Sequence, residues 1–408
     1  MKFRPTFRTA KRLQNRQLQA GSLRSARQDC VVPQIEITQV TSRAERDAFI
    51  KFPWRIYAND PAWVPPLLLE RKEFLNREKH PFYEHGDAAL FLARSGGETV
   101  GRIMASDDPT YNALHQSNVG CFGLFESIND SEVAGALFRA AENWVRGKGR
   151  NEIMGPIDYS TNYVCGLLIE GFQHPPTILT SHNPPYYAAL IESWGFARVT
   201  DFYAWWFPDA TVGAARLRRL AGKFMKRNLV SIRRGNLKNM REESRRLRKI
   251  YNEAWENNWG FVPFSESEIE YMTKELKPIV DPEWTLIAEV DGEPVGFILG
   301  VPDINVALQK IDGRLTRWGL PVGLIKLLYH KSKIKKARLI ALGVIEKYRR
   351  AGVAEMLVLH VMDEGMIKRG FSFELSMTLE DNHKINRFLE AIGATKYKTY
   401  RIYRRGLD

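Results

Sequence analysis

Two kinds of apolar periodicity alternate along the chain. Residues 371–378 set Phe371, Phe373, Leu375 and Met377 against Ser372, Glu374, Ser376 and Thr378, the two-residue period of a strand. Residues 352–369 instead gather Met356, Leu357, Val361 and Met362 on one side, as a helix does. Read this way, the second half is predicted to hold strand 229–234, helix 241–256, hairpin 285–300, strand 337–345, helix 352–369, strand 371–378, helix 383–392 and strand 395–404. The first half reads as strand 35–40, helix 42–50, hairpin 88–105, strand 118–127, helix 131–147, strand 151–156, helix 184–194 and strand 197–207. Strands interleaved with helices predict an α/β fold (an α+β mixed sheet, since hairpins bring antiparallel pairs).

The two series are copies of one unit. Residues 93–103 (ARSGGETVGRI) and 288–298 (AEVDGEPVGFI) share Ala, Gly-Glu, Val-Gly and Ile at an offset of 195. Ser95-Gly96-Gly97 and Asp291-Gly292 mark the turn of each hairpin. Residues 191–206 and 389–404 both end a helix at a glycine, Gly195 and Gly393, and enter an aromatic strand, at an offset of 198. The expected organisation is a basic disordered arm at 1–30 and two tandem domains at 31–208 and 209–408. The copies diverge at about 156–182 in the first and 301–336 in the second, where different jobs could have been acquired.

Charge and composition narrow the chemistry. The chain has 408 residues, 44% hydrophobic, enough for packed cores. Sixty Lys and Arg against 47 Asp and Glu leave +13, which favours an anionic partner. Residues 1–28 hold eight basic side chains and no acid, without the apolar block of a secretory signal. Two further basic zones run from Ala214 to Lys249 and from Lys326 to Arg338. Cys30, Cys121 and Cys165 lack metal-ligand spacing, so neither a disulfide framework nor a metal site is expected, and the expected compartment is a reducing cytoplasm. No apolar run is long enough to span a bilayer.

The motif that carries chemistry is ALGVIEKYRRAGVAEMLV at 341–358. An apolar strand runs into Arg349-Arg350-Ala351-Gly352-Val353-Ala354 and then into a helix. A small-residue turn there aims backbone N–H groups and a helix N-terminus at one point, a site for a pyrophosphate. This resembles the pyrophosphate loop of the GNAT superfamily of acyl-CoA N-acyltransferases, Gln/Arg-x-x-Gly-x-Gly/Ala, with Arg349, Gly352 and Ala354 in the matching places. Asn382, 11 residues before Gly393, matches the family's Asn-x10-Gly helix. The resemblance implies acyl-CoA as co-substrate, no metal, and a CoA site made of Leu342, Val344, Arg349, Arg350, Gly352, Val353, Ala354 and Asn382. The first copy has Asp130 or Ser131 as a helix cap where that loop would be, so it is expected to be degenerate.

The family's usual acid and base are missing. Leu389 stands where a tyrosine is common, and 337–345 contains no acid. Glu374, mid-strand on a polar face, is the first candidate base, or else half of a salt bridge. Asp303 in Pro302-Asp303-Ile304-Asn305 is the second, or only a turn residue. Asn258, Trp259 and Phe261 are expected to wall the acceptor cleft, with Tyr187, His182 and Tyr186 of the first copy within reach or simply packed. Residues 320–336 read as a basic amphipathic helix: a membrane-surface element, a lid or a core helix with solvated lysines. With the basic arm, this points to an amphiphilic amine acceptor or a long acyl chain, and to peripheral association with the inner face of a membrane. The chain looks like a group of bacterial tandem GNAT proteins, and the bacterial ceramide synthase branch would fit a sphingoid-type amine. Small-molecule or protein N-acetylation from acetyl-CoA and a non-catalytic acyl-CoA sensor are the alternatives. Fem-like aminoacyl transfer and nucleic-acid binding would not need the CoA loop.

Overall fold

In a computed structural model, the described residues are 34–208, 213–215, 217–219, 230–236 and 238–407. The basic arm at 1–30 and most of the stretch 209–229 lie outside them. Residues 35–408 form one compact unit.

The strands of the first half are β1 (Glu36–Gln39), β2 (Asp87–Ser95), β3 (Glu98–Asp107), β4 (Val119–Ser127), β5 (Glu152–Gly155), β6 (Leu167–Glu170) and β7 (Ala197–Phe207). Those of the second are β8 (Ser231–Arg234), β9 (Thr285–Val290), β10 (Glu293–Pro302), β11 (Lys336–Val344), β12 (Ser372–Leu379) and β13 (Thr395–Gly406). The hairpin turns use left-handed backbone at Gly96-Gly97 and Asp291-Gly292, as their sequences require. All strands belong to one mixed sheet in the order β1-β2-β3-β4-β5-β13-β7-β12-β11-β10-β9-β8, with β6 joining β13.

That order contains a reciprocal exchange. The last strand of the second half, β13, lies beside β5 of the first, pairing Tyr403 with Gly155. The last strand of the first half, β7, lies beside β12 of the second, pairing Phe207 with Phe373 and Trp205 with Leu375. The two exchanged strands pair antiparallel at the centre, Tyr203 opposite Thr399. Arg401 clamps Asp201 across them with two hydrogen bonds of 2.8 and 3.0 Å. Each half therefore closes its sheet with the other's strand. The cores share in it: Tyr403 packs among Phe122, Phe138 and Ile191 of the first half.

Helices cover the faces. The helix Ser131–Gly147 buries Val133, Leu137, Phe138, Ala141 and Val145, an i, i+4 stripe, on the first half. Its counterpart, Val353–Val361, buries Val353, Met356, Leu357 and Val361 on the second and then loosens into a wider turn at Met362–Ile367. Helices at Leu68–Phe74 and Glu266–Leu276 are short or charged enough that apolar period alone does not announce them. No helix among the described residues is long and apolar enough to cross a membrane.

Candidate active site

In each half, two parallel strands start as a pair and then part. β11 pairs with β12 only from Lys336↔Ser372 to Leu339↔Leu375. Beyond that point, Ile340–Leu342 and Ser376–Leu379 form the two walls of an open wedge. The register of β11 against β10 slips at Ile340, a bulge that bends the strand away.

The wedge opens into a cavity of about 1130 Å³ lined by both halves. Its walls are mostly aromatic and aliphatic: Trp63, Tyr251, Trp255 and Phe264 on one side, Leu324, Leu327 and Leu328 on another. Asn258, Trp259 and Phe261 line it as expected. Tyr187 also borders it but is fully buried. Its hydroxyl donates to Glu126 Oε2 at 2.8 Å and accepts from the Ser127 amide at 2.9 Å, so it braces the first half.

At the end of β11 the chain makes the small-residue turn. Gly352 is left-handed (φ 74°) and no side chain caps the helix Val353–Val361. Its first N–H groups are thus left for an anion. Val353 is buried core, so only its backbone serves this point, while Ala354 is half-buried and Arg350 exposed. Arg349 is spent on structure: its guanidinium donates to Val344 O at 3.3 Å and to Ala254 O at 2.8 Å. Leu342 lines the cavity, while Val344 is buried and shapes the turn through its carbonyl. Asn382 lines the cavity and caps the next helix, accepting from the Ile385 amide at 3.4 Å.

Glu374 and Asp303 lie beneath the cavity rather than on its wall. Glu374 is fully buried, and Oε1 accepts from Thr177 Oγ1 at 2.7 Å and Ser376 Oγ at 2.5 Å. Oε2 accepts from the Tyr397 hydroxyl. Arg338 Nε sits 3.6 Å from Oε1 and donates to Ser376 Oγ at 2.9 Å. Glu374 therefore meets the wedge through Ser376 and Arg338, and the salt bridge weighed for it is present. Asp303 accepts from the amides of Ile178 (3.0 Å) and Asn305 (3.3 Å). Burial, with Glu374 nearby, pushes its carboxyl up to about 7. Lys398 completes the knot, donating to Pro175 O at 2.8 Å, and burial lowers it to about 8. The two insertions meet here: residues 175–178 of the first copy bind Glu374, Asp303, Asn305 and Lys398.

A second polar pair reaches the cavity through its histidine. His182 lines it, and Nε2 is 2.7 Å from Asp60 Oδ2. A carboxylate acceptor fixes the proton on Nε2, leaving Nδ1 as the free lone pair. Nδ1 is buried and has no hydrogen-bond partner among the described residues. Burial holds the ring's pKa below its usual value, against the pull of Asp60. His182 is visible in the sequence as a cleft residue; Asp60, 122 positions away, carries no local signal.

A small-residue turn and an uncapped helix start, set at the end of a strand that splays from its neighbour, can seat an anionic carrier and admit its arm into the split. Residues 244–394 match the Acetyltransferase (GNAT) family. The chain is 39% identical to Protein YghO of Escherichia coli (strain K12), over 87% of this chain and 91% of that one. It is 36% identical to the Bacterial ceramide synthase of Caulobacter vibrioides (strain NA1000 / CB15N), over 91% of this chain and 98% of that one. The tandem GNAT protein from the clavulanic acid biosynthesis pathway shares the fold, with TM-score 0.55 at 13% identity, covering 91% of this chain and 98% of that one. The chain belongs to the GNAT family of N-acyltransferases. Its co-substrate is accordingly an acyl-CoA and its acceptor an amine.

Proposed function

We propose that the protein moves a long acyl group from CoA to the primary amine of an amphiphile of the sphingoid type, at a membrane surface. The observation that carries this is the cavity. At about 1130 Å³ it exceeds the roughly 300–1,000 Å³ of small-ligand pockets, and its lining is apolar. An acetyl group and a small polar amine would leave most of that surface wetted and unused. The relative named a ceramide synthase supports the same reading.

The CoA pyrophosphate rests on the turn at Gly352–Ala354 and the helix start behind it. The pantetheine arm enters the wedge between β11 and β12, where strand amides left unpaired by the splay polarise the thioester carbonyl. The amine comes from the cavity and gives its ammonium proton to Nδ1 of His182, with Asp60 holding the ring. The neutral amine attacks the carbonyl carbon, the C–S bond breaks, and the second proton lost by the nitrogen passes to the departing CoA sulfur. Glu374 positions Ser376 and Arg338 at the wedge floor, and Asp303 ties down the strap at 175–178.

The test is CoA thiol release from acetyl-CoA and palmitoyl-CoA, each with a short polar amine and a long-chain sphingoid amine. Turnover tenfold or more higher with long chains is expected. Equal or better turnover of acetyl-CoA with the polar amine would overturn the lipid assignment. His182→Gln should lower kcat about 100-fold or more. It should also remove the limb over which activity rises with pH through the depressed histidine pKa, whereas an unchanged profile would return the base to Glu374 acting through Ser376.

A further inference from the structure

One surface has no part in binding CoA or in the chemistry. Between Gly313 and Lys336 the chain has seven Lys and Arg and no Asp or Glu. The same stretch holds the densest group of exposed apolar side chains among the described residues: Trp318 is 82% exposed, Ile325 63%, Leu320 60%, Leu328 58% and Tyr329 56%. Soluble surfaces seldom gather so many without a partner.

The helix Val322–Lys331 shows how the patch is arranged. Leu324, Leu327, Leu328 and Lys331, at i, i+3, i+4 and i+7, line the cavity. At about 100° per residue, Ile325 and Tyr329 fall on the adjoining side and Lys326 beyond them. The wall of the cavity thus passes without a break into an exposed apolar face and then into a basic one.

We propose that this face docks on an anionic lipid bilayer. The inference deepens the lipid reading above and rests on it for what the surface delivers. Three features select a bilayer. Trp318 and Tyr329 carry cations on their rings, Arg317 at 4.5 Å and Lys333 at 3.9 Å, an amphipathic pairing suited to the headgroup level. The lysine stems can lie along the apolar face with their ammonium groups at the phosphates. The absence of acids disfavours a second copy of the chain as occupant, because two such faces would bring cations against cations. Because Leu324, Leu327 and Leu328 border both regions, a long-chain substrate passes from bilayer to cavity along one continuous apolar path.

Flotation of the full chain with phosphatidylcholine vesicles, with and without phosphatidylglycerol, tests this. Binding should be about tenfold or more stronger to the anionic vesicles, each nearby cation contributing about 1 kcal/mol. The double variant Trp318→Ser/Ile325→Glu spares every cavity-lining residue. It should lose vesicle binding about tenfold or more, with CoA affinity and thermal midpoint unchanged. Equal flotation of the variant, no flotation of the wild type, or a wild-type dimer that the variant converts to monomer would each overturn the proposal. Vesicle binding is read without turnover. Intact flotation with no acylation of any amine would therefore overturn the functional reading and leave the surface standing.

Discussion

The two wedges of the molecule start from the same geometry and end in opposite states. In the first half, β4 and β5 pair only from Val119↔Glu152 to Cys121↔Met154, and then part as β11 and β12 do. Here the gap is filled by the chain itself. The Ile157 amide donates to Phe122 O at 2.7 Å, and Asp158 accepts from the Leu124 amide at 2.9 Å. A side chain added at Gly123 would strike the carbonyl of Ile157, so backbone lies directly on backbone. The helix start is filled as well: Asp130 caps it, accepting from the amides of Glu132 (2.8 Å) and Val133 (3.3 Å). The second half has glycine at that point and nothing in its gap. A duplicated scaffold keeps its fold when a site is closed, provided the unpaired backbone groups find partners from the chain. The first half answers them with Ile157, Asp158 and Asp130, and the second leaves them to its substrate.

Gly352→Glu is the largest blow to this contrast. It places a carboxylate in the proposed pyrophosphate site, and should lower CoA affinity about 100-fold or more. Calorimetric titration of the wild type should give one CoA per chain. Two sites per chain, or an undiminished affinity in the variant, would erase the distinction between the halves.

The contrast was half legible in the sequence. Apolar period and glycine turns placed every strand but β6, including β7 with its bounds unchanged, and Asp130 was readable as a cap. The exchange of β7 and β13 was not. Alternation states which face of a strand is buried, not which neighbour it pairs with, and the two aromatic strands carry interchangeable patterns. The plug at Ile157–Asp158 and the pairs Asp60–His182 and Asp303–Ile178 join residues distant in sequence through an insertion without periodicity. The small-residue turn at Gly352 was legible because its chemistry is local: glycine, helix start and anion site lie within six residues.

Among the described residues, each half also sets a buried carboxylate against a buried arginine, and the two knots differ in strength. Glu374 has three hydroxyl donors and Arg338. Glu126 has two tyrosines, Tyr57 and Tyr187 at 2.8 Å each, and Arg102 at 3.4 Å. Burial raises the Glu126 carboxyl above its usual range despite these partners. Glu374→Gln leaves Arg338 buried without its anion and should cost about 3 kcal/mol in a urea melt. Glu126→Gln should cost less, about 1–2 kcal/mol, because burial already works against its charged form. Equal losses would mean that the first half retains a site as tightly built as the second. Asp303→Asn comes next and acts in the opposite direction. A carboxyl raised from 3.8 to about 7 by folding holds its proton more tightly folded than unfolded, so stability falls as pH climbs through that window. The asparagine Oδ1 still accepts from both backbone amides, and the side chain carries no charge. The variant should therefore be about 1–2 kcal/mol more stable at pH 8 and equal to wild type near pH 4. A variant less stable at both would show that the ionised form is the one the strap at 175–178 needs.

Asp130→Ala is the smallest perturbation and the one that probes the filled site directly. The carboxylate accepts from two amides at the first turn, and losing such a cap costs about 1 kcal/mol. CoA affinity should not change, since the wedge behind this helix is still occupied by Ile157 and Asp158. The helix start alone is not what distinguishes the halves: an uncapped N-terminus facing a closed gap has nowhere to seat a pantetheine arm. If Asp130→Ala instead gave a second CoA equivalent in the titration, the plug would have to yield to ligand. The first half would then be a dormant site held shut by a single carboxylate rather than one rebuilt as structure.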